Sequence, residues 1–316
     1  MIQQSTIQSN RSKARRLHSL LVAVPFLAPY LFLFCLFLLW PLIYGFVLSL
    51  HDWHLLSPEK HFVGFANYAG VIQDERFQTA LCNTAYFAVM AVPLGNLISL
   101  LIALGLNARV RGETLLKLAF YLPTVLSVAV VAVLWRWLYS SEFGLLNHYL
   151  QSGHQLARQL HLSSGEFKPI PWITDPRYAM PSLAILSAWW GSGAGMLIYL
   201  AGLRAIPESY YEAAVVDGAG PWRRFWSITW PLLRPTTLFN VVIGLIGAFQ
   251  MFGQSFMITN GGPHRSTLTV VQYMYQTGFS LFKMGYGSAV AYTLFLVVLV
   301  VTLLQFRLLS YKEEIS

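Results

Sequence analysis

The chain has 316 residues, of which 56% are hydrophobic and only 11% charged, and its mean hydropathy is +0.54. Soluble domains carry about 25% charged residues, so this composition excludes an ordinary water-soluble globule and places most of the chain in lipid. The formal net charge of +8 would also fit a nucleic-acid binder, but its cations cluster in loops beside apolar stretches. They read as a topology signal and a docking surface, and no nucleic-acid partner is expected.

A membrane helix needs about 20 apolar residues. After a polar start read as disordered and a basic segment within residues 1–20 (Arg11, Lys13, Arg15, Arg16), six stretches meet that length, near 21–50, 81–106, 118–138, 180–203, 236–259 and 285–307. The first is longer than the 7–15 residues of a signal-peptide core and no small-residue cleavage site follows it. It reads as a retained span, kinked at Pro25, Pro29 or Pro41. Cys35 and Cys82 lie inside apolar runs and read as packing residues, with no metal-ligand spacing around them. The expected fold is therefore all-α and integral to the membrane, with one membrane domain over 21–310 and small ordered caps in the outer loops.

Lys and Arg set the orientation. One side holds the N-terminal cations, then Arg109, Arg111 and Lys117, then Arg204, Arg223, Arg224 and Arg234, then Arg307 at the end of the sixth stretch, and last Lys312 in a short tail, 311–316. The other holds Lys60, Arg76, Arg136, Arg158, Lys168, Arg177, Arg265 and Lys283, spread over longer loops. The first side is expected to be cytoplasmic, with both termini and the loop 204–235 on it. No Asp, Glu, Lys or Arg lies mid-span, which disfavours a proton-coupled carrier. His148, His154 and His161 share a loop without evident partners and read as surface residues, so no catalytic site and no metal site is expected.

Span four carries Trp189 and Trp190 before Gly191-Ser192-Gly193-Ala194-Gly195, a run that permits close helix approach or local unwinding. Span five carries Gln250 and Gln254, one helical turn apart on a common face, with Phe249 and Phe252 beside them and Asn240 nearer the basic side. Amides that donate and accept, next to aromatic faces, suit sugar hydroxyls and apolar ring faces. The alternative is that these glutamines hold helices together, at about 0.6 kcal/mol each.

Between spans four and five lies the most patterned polar segment. Pro207 is placed in the first turn of a helix, with Glu208 and Glu212 near the positive end of its dipole. Glu212-Ala213-Ala214 is followed by Asp217-Gly218, where the helix must stop and a positive φ is expected. Pro221 opens a second helix carrying Arg223 and Arg224, which Pro231 is expected to interrupt. A helix–bend–helix of this kind at a membrane surface is a docking element.

That segment closely resembles the coupling loop of ABC importer permeases: Glu-Ala-Ala, three residues, Gly, nine residues, Ile, one residue, Leu-Pro. Glu212, Ala213, Ala214, Gly218, Ile228 and Pro231 fall in place, and Trp230 stands where the pattern prefers Leu. Phe62-Val63-Gly64-Phe65-Ala66-Asn67-Tyr68 with Asn83-Thr84, then Trp172 and Pro181 bracketing the approach to span four, Thr259-Asn260-Gly261-Gly262-Pro263 and Gly285-Tyr286-Gly287-Ser288-Ala289 are similar to the carbohydrate-type branch, specifically its maltose-permease large-subunit-like members. The resemblance runs from Phe62 to the end of span six. It implies a type I importer permease in a bacterial inner membrane, paired with a second homologous permease, two ATP-binding subunits and an extracytoplasmic solute-binding protein. No Gly-Lys pair exists from which to build a phosphate loop, so no cofactor is expected on this chain, and ATP and Mg belong to the ATPase partners. The expected function is passage of a sugar or oligosaccharide. The alternatives are a polyol or glycerophosphodiester importer, or a membrane scaffold or sensor that uses the loop only to bind a partner.

Overall fold

The structure is a computed structural model that describes residues 24–108, 111–162 and 165–309. The expectations for segment 1–20, for Arg109 and for the tail 311–316 lie outside the described residues. Helix α1 spans Val24–Ser49, and the apolar window within it is not buried by the rest of the chain, so it runs at the periphery. Its disruption is a π-helical turn at Cys35–Leu39, where Trp40 N–H bonds the Cys35 carbonyl. The wider turn falls just ahead of Pro41, which has no N–H to continue the regular ladder.

A short antiparallel hairpin follows, β1 (His51–Trp53) on β2 (Lys60–Phe62), with His51 opposite Phe62 and Trp53 opposite Lys60. The Lys60 ammonium sits 4.2 Å from the Trp53 ring centre and donates to Tyr44 Oη at 2.8 Å. Helix α2 (Ala66–Gln73) is tied back by Asn67, whose amide donates to the Ser49 and His51 carbonyls, both at 2.9 Å.

The core is built on α3 (Glu75–Asn107) and α7 (Pro176–Arg204), which run side by side in the same direction. Gly95 meets Ala188, and farther along Ala103 and Leu106 join Tyr199, Leu200 and Leu203 in one buried cluster. Met180, Leu183, Leu186 and Met196 of α7 are fully buried. Residues around the expected third span form two helices, α4 (Glu113–Val125) and α5 (Val128–Leu138), set at 96°. Leu126 is extended and the Ser127 hydroxyl caps α5, so the stretch expected near 118–138 takes the form of a bent pair. Helix α6 (Leu145–Gln159) caps one end, with the Asn147 side chain donating to Ile170 O and accepting from Ile170 N–H and Trp172 Nε1–H.

Beyond α7 come α8 (Glu208–Val216), α9 (Pro221–Leu232, with a π turn at Phe225–Thr229) and α10 (Arg234–Phe249), the last two set at 61°. Pro231 is preceded by a π-helical interruption and its helix stops one residue later, at Leu232. In the π turn Trp230 N–H bonds the Phe225 carbonyl, and the chain bends at Leu233. The fifth span is broken too: α10 stops at Phe249, Gln250–Phe252 leave the helix, and helical structure resumes through a π turn at Ser255–Thr259 before the left-handed Asn260. The Gly261-Gly262-Pro263 turn folds back under α11 (Val270–Tyr275), and α12 (Met284–Leu309) completes the described chain. Asn83 donates to Arg265 O at 2.7 Å and Leu268 O at 3.0 Å, and Thr84 accepts from Val270 N–H at 3.1 Å. Both cysteines are free and exposed on the chain, so the packing role expected of them does not hold within it.

Candidate functional site

Two features stand out. The first is a cavity of about 300 Å³ between α3, α7 and α10, reaching the break after α10. Gly95, Asn96 and Ser99 come from α3, Ser187, Trp190 and Gly191 from α7, Asn240 and Gly244 from α10, and Met251 and Gln254 from the broken segment. Among the described residues no charged side chain lines it. Its polar groups keep unused bonding capacity. Among the described residues the buried Trp190 Nε1–H has no hydrogen-bond partner, Asn240 reaches Gly195 O only at 3.5 Å, and Gln254 reaches Ser187 Oγ only at 3.4 Å. Neutral donors and acceptors in a mostly apolar recess suit an uncharged, hydroxyl-bearing ligand.

Of the residues expected to line a path, Trp190, Asn240 and Gln254 meet at this cavity and the others do not. Trp189 packs against Trp135 at 5.4 Å between ring centres. Phe249 is buried in the core, and Phe252 stacks on Phe256 at 5.1 Å beside Tyr275. Gln250 caps the end of α10 and is exposed. The common helical face expected for Gln250 and Gln254 is corrected, because the helix ends between them. Of the two readings of the glycine run in span four, close approach holds and unwinding does not, since α7 is continuous. A Cβ on Gly193 would lie 2.5 Å from the Phe120 carbonyl oxygen and 2.8 Å from Tyr121 Cα, both in α4. Sequence reasoning missed Asn96, Ser99 and Ser187. Asn96 and Ser99, polar and one turn apart within an apolar run, were the available signal.

The second feature is the helix–bend–helix. Pro207 is the N-cap of α8, Glu208 occupies the first turn, and Asp217 is the C-cap. Gly218 has φ +72°, its N–H bonds Val215 O at 3.0 Å, and Ala219 N–H bonds Ala214 O at 2.8 Å. This is the Schellman closure, in which a left-handed glycine lets two orphan carbonyls be capped. Glu212, Ala213, Asp217 and Gly218 are exposed and Ala214 is half-buried. Val215 and Val216 are 56% and 87% exposed, an apolar tip left uncovered by the described residues. Pro221 opens α9, and Arg223 is exposed while Arg224 is half-buried. Tyr211 and Thr229 hydroxyls meet at 2.9 Å and hold α8 to α9. Trp230, the departure from the motif, packs with Trp226 and Phe225 in an aromatic cluster that Trp222 joins, a place a leucine would fill only in part.

At the opposite end Asp74 caps α3 through Arg76 N–H at 2.7 Å and accepts from the Tyr273 hydroxyl at 2.5 Å and the Tyr286 hydroxyl at 3.3 Å. Burial pushes its carboxyl up, but the hydrogen bonds from Tyr273, from the backbone of Arg76 and Phe77 and from Tyr286 outweigh that and hold it below the ordinary value. His148 and His154 sit on α6 and His161 just after it. Among the described residues no group of three or more His, Cys, Asp or Glu is placed to hold a metal ion.

The family described as binding-protein-dependent transport system inner membrane component matches residues 95–310. A probable ABC transporter permease protein of Pyrococcus horikoshii is 36% identical over 300 residues, covering 95% of this chain and 99% of its own. The arabinooligosaccharides transport system permease protein of Bacillus subtilis is 33% identical, covering 92% of this chain and 90% of its own. Among solved structures, a chain of a bacterial ABC transporter involved in the import of the acidic polysaccharide alginate superposes with a TM-score of 0.74 at 23% identity, covering 94% of this chain and 96% of that one. That last likeness shows a shared fold.

Proposed function

The chain belongs to the family of binding-protein-dependent transport system inner membrane components, and on that premise we propose that it is a permease subunit of an ATP-driven importer for a neutral sugar or oligosaccharide. The observation that carries the reading is the exposed α8, with its Glu-Ala-Ala sequence and glycine closure, on the same chain as an uncharged polar cavity. The kinship with an arabinooligosaccharide permease supports the carbohydrate class. The uncharged lining favours a sugar over a glycerophosphodiester, whose phosphate would call for a cationic partner.

In this reading α4 with α5 counts as one span and α10 with the broken segment after it as another, giving six, with both termini and the α8–α9 loop in the bacterial cytoplasm. A second homologous permease supplies the other half of the path. Glu212, Ala213, Ala214, Asp217, Gly218, Arg223 and Arg224 form the surface on which one of two ATPase subunits docks, with ATP and Mg bound on those partners. Closure of the ATPase dimer displaces the docked loops and shifts the permeases from inward- to outward-open, a two-state equilibrium biased by nucleotide. The solute-binding protein then releases its sugar into a cavity where Trp190, Asn240 and Gln254 offer hydrogen bonds, while Gln250, Trp189, Phe249 and Phe252 shape the break and the wall behind it.

The test is co-expression with the partner permease, ATPase and binding protein, purification through this chain, and reconstitution in liposomes. Co-purified ATPase stimulated by the binding protein, with uptake of neutral sugar, is the expected result. An ATPase that fails to co-purify or to respond would favour the scaffold reading.

A further inference from the structure

Glu113 belongs to no motif named above, yet its carboxylate joins elements that lie 91 residues apart in sequence. It is the first residue of α4 and accepts hydrogen bonds from Lys117, one turn along the same helix, and from Arg204, the last residue of α7. Arg204 stands three residues before Pro207, the N-cap of α8. Helices α4 and α7 are fastened a second time farther from the docking loop. Gly193 allows backbone contact with Phe120 and Tyr121, and the Thr124 hydroxyl donates to Trp190 O at 3.0 Å. Trp190 in turn lines the cavity. Beside the pair lies a space of about 700 Å³, lined by Glu113 and Arg204 together with Glu208 and Tyr211 of α8.

Resting on the importer reading, we propose that Glu113 is a positioning residue that ties α4 to the root of the docking helix. A displacement of α8 then moves α4 together with α7, and the Thr124–Trp190 bond keeps the two helices in step beside the cavity. Arg204 is half-exposed and Glu113 about a quarter exposed. Ion pairs of this kind contribute little to folding, so breaking this one spares assembly and acts on coupling. Lys117 shares the carboxylate but sits on α4 itself, so it cannot transmit motion between helices.

The experiment measures sugar imported per ATP hydrolysed by the reconstituted importer. Glu113→Gln and Arg204→Gln should each lower that ratio about two- to fivefold, the range an exposed ion pair supports, with complex yield and thermal stability unchanged. The double variant should be no worse than either single one, because both remove the same interaction. Lys117→Gln and the charge-retaining Arg204→Lys should stay near the wild-type ratio. Additive losses in the double variant, an equal loss from Lys117→Gln, or an unchanged ratio in both single variants would overturn the proposal while the wild type still transports. A wild-type complex that imports no sugar would sink the transport reading and this proposal with it.

Discussion

Substitutions at Gly218 isolate backbone geometry from packing. The residue has φ +72°, and an added Cβ would meet no heavy atom within 4 Å. Steric crowding therefore drops out, and the cost of a side chain is that of holding an L-residue in the left-handed region. That cost is about 1–2 kcal/mol for most residues and less for Asn, whose side chain bonds locally. If the bend opens, Ala214 O and Val215 O lose their caps from Ala219 and Gly218 N–H. At 1.4 kcal/mol per factor of ten, the closed bend becomes about 5- to 30-fold less populated in Gly218→Val, and less affected in Gly218→Ala and then Gly218→Asn. Uptake and ATPase recovery from the reconstituted complex should follow the order Gly, Asn, Ala, Val, while the amount of chain in the membrane stays constant. Wild-type uptake by the valine variant would refute the reasoning, as would an asparagine variant as impaired as valine.

Gln254→Leu should raise the apparent Km for uptake about 5- to 150-fold, the equivalent of about 1–3 kcal/mol for a lost buried partner, with basal ATP hydrolysis intact. Gln250→Leu should do much less, and equal effects would argue against the cavity as the binding site. Gly193→Ala must push α4 from 2.5 Å to ordinary contact near 3.4 Å, a shift of about 0.9 Å that also stretches the Thr124–Trp190 hydrogen bond. Overpacking of this kind costs about 1–3 kcal/mol, whereas Gly191→Ala meets nothing within 4 Å, so thermal melting of the two variants should separate clearly, and coincident melting would contradict the close contact. Because the Asp74 carboxyl is held below its ordinary value, its stabilising contribution is complete above the unfolded value of about 3.9 and is lost only as pH falls through the folded one. The stability difference between wild type and Asp74→Asn should stay constant from pH 7 to 5, and a decline within that range would show the sign to be wrong.

What the residue string determined by itself is local or compositional. Apolar length marked the helices, because a chain in lipid must satisfy its backbone within each segment. The stop at Gly218 and its positive φ were legible because a helix end closes through bonds between residues five or fewer apart. The disturbance near Pro41 followed from a missing N–H. The breaks at Leu126–Ser127 and at Gln250–Phe252 were not legible, since those residues suit a helix as well as a break and neighbouring elements settle which forms. That decision also settled the cavity. Trp190 and Trp189 are adjacent in sequence, yet one faces the recess and the other packs on Trp135, according to how α7 is turned against α3 and α5. Gln254 separates from Gln250 for the same reason. The pairing of Glu113 with Arg204 belongs wholly to the tertiary structure, because no local pattern relates two charges so far apart along the chain until α4 is laid against α7.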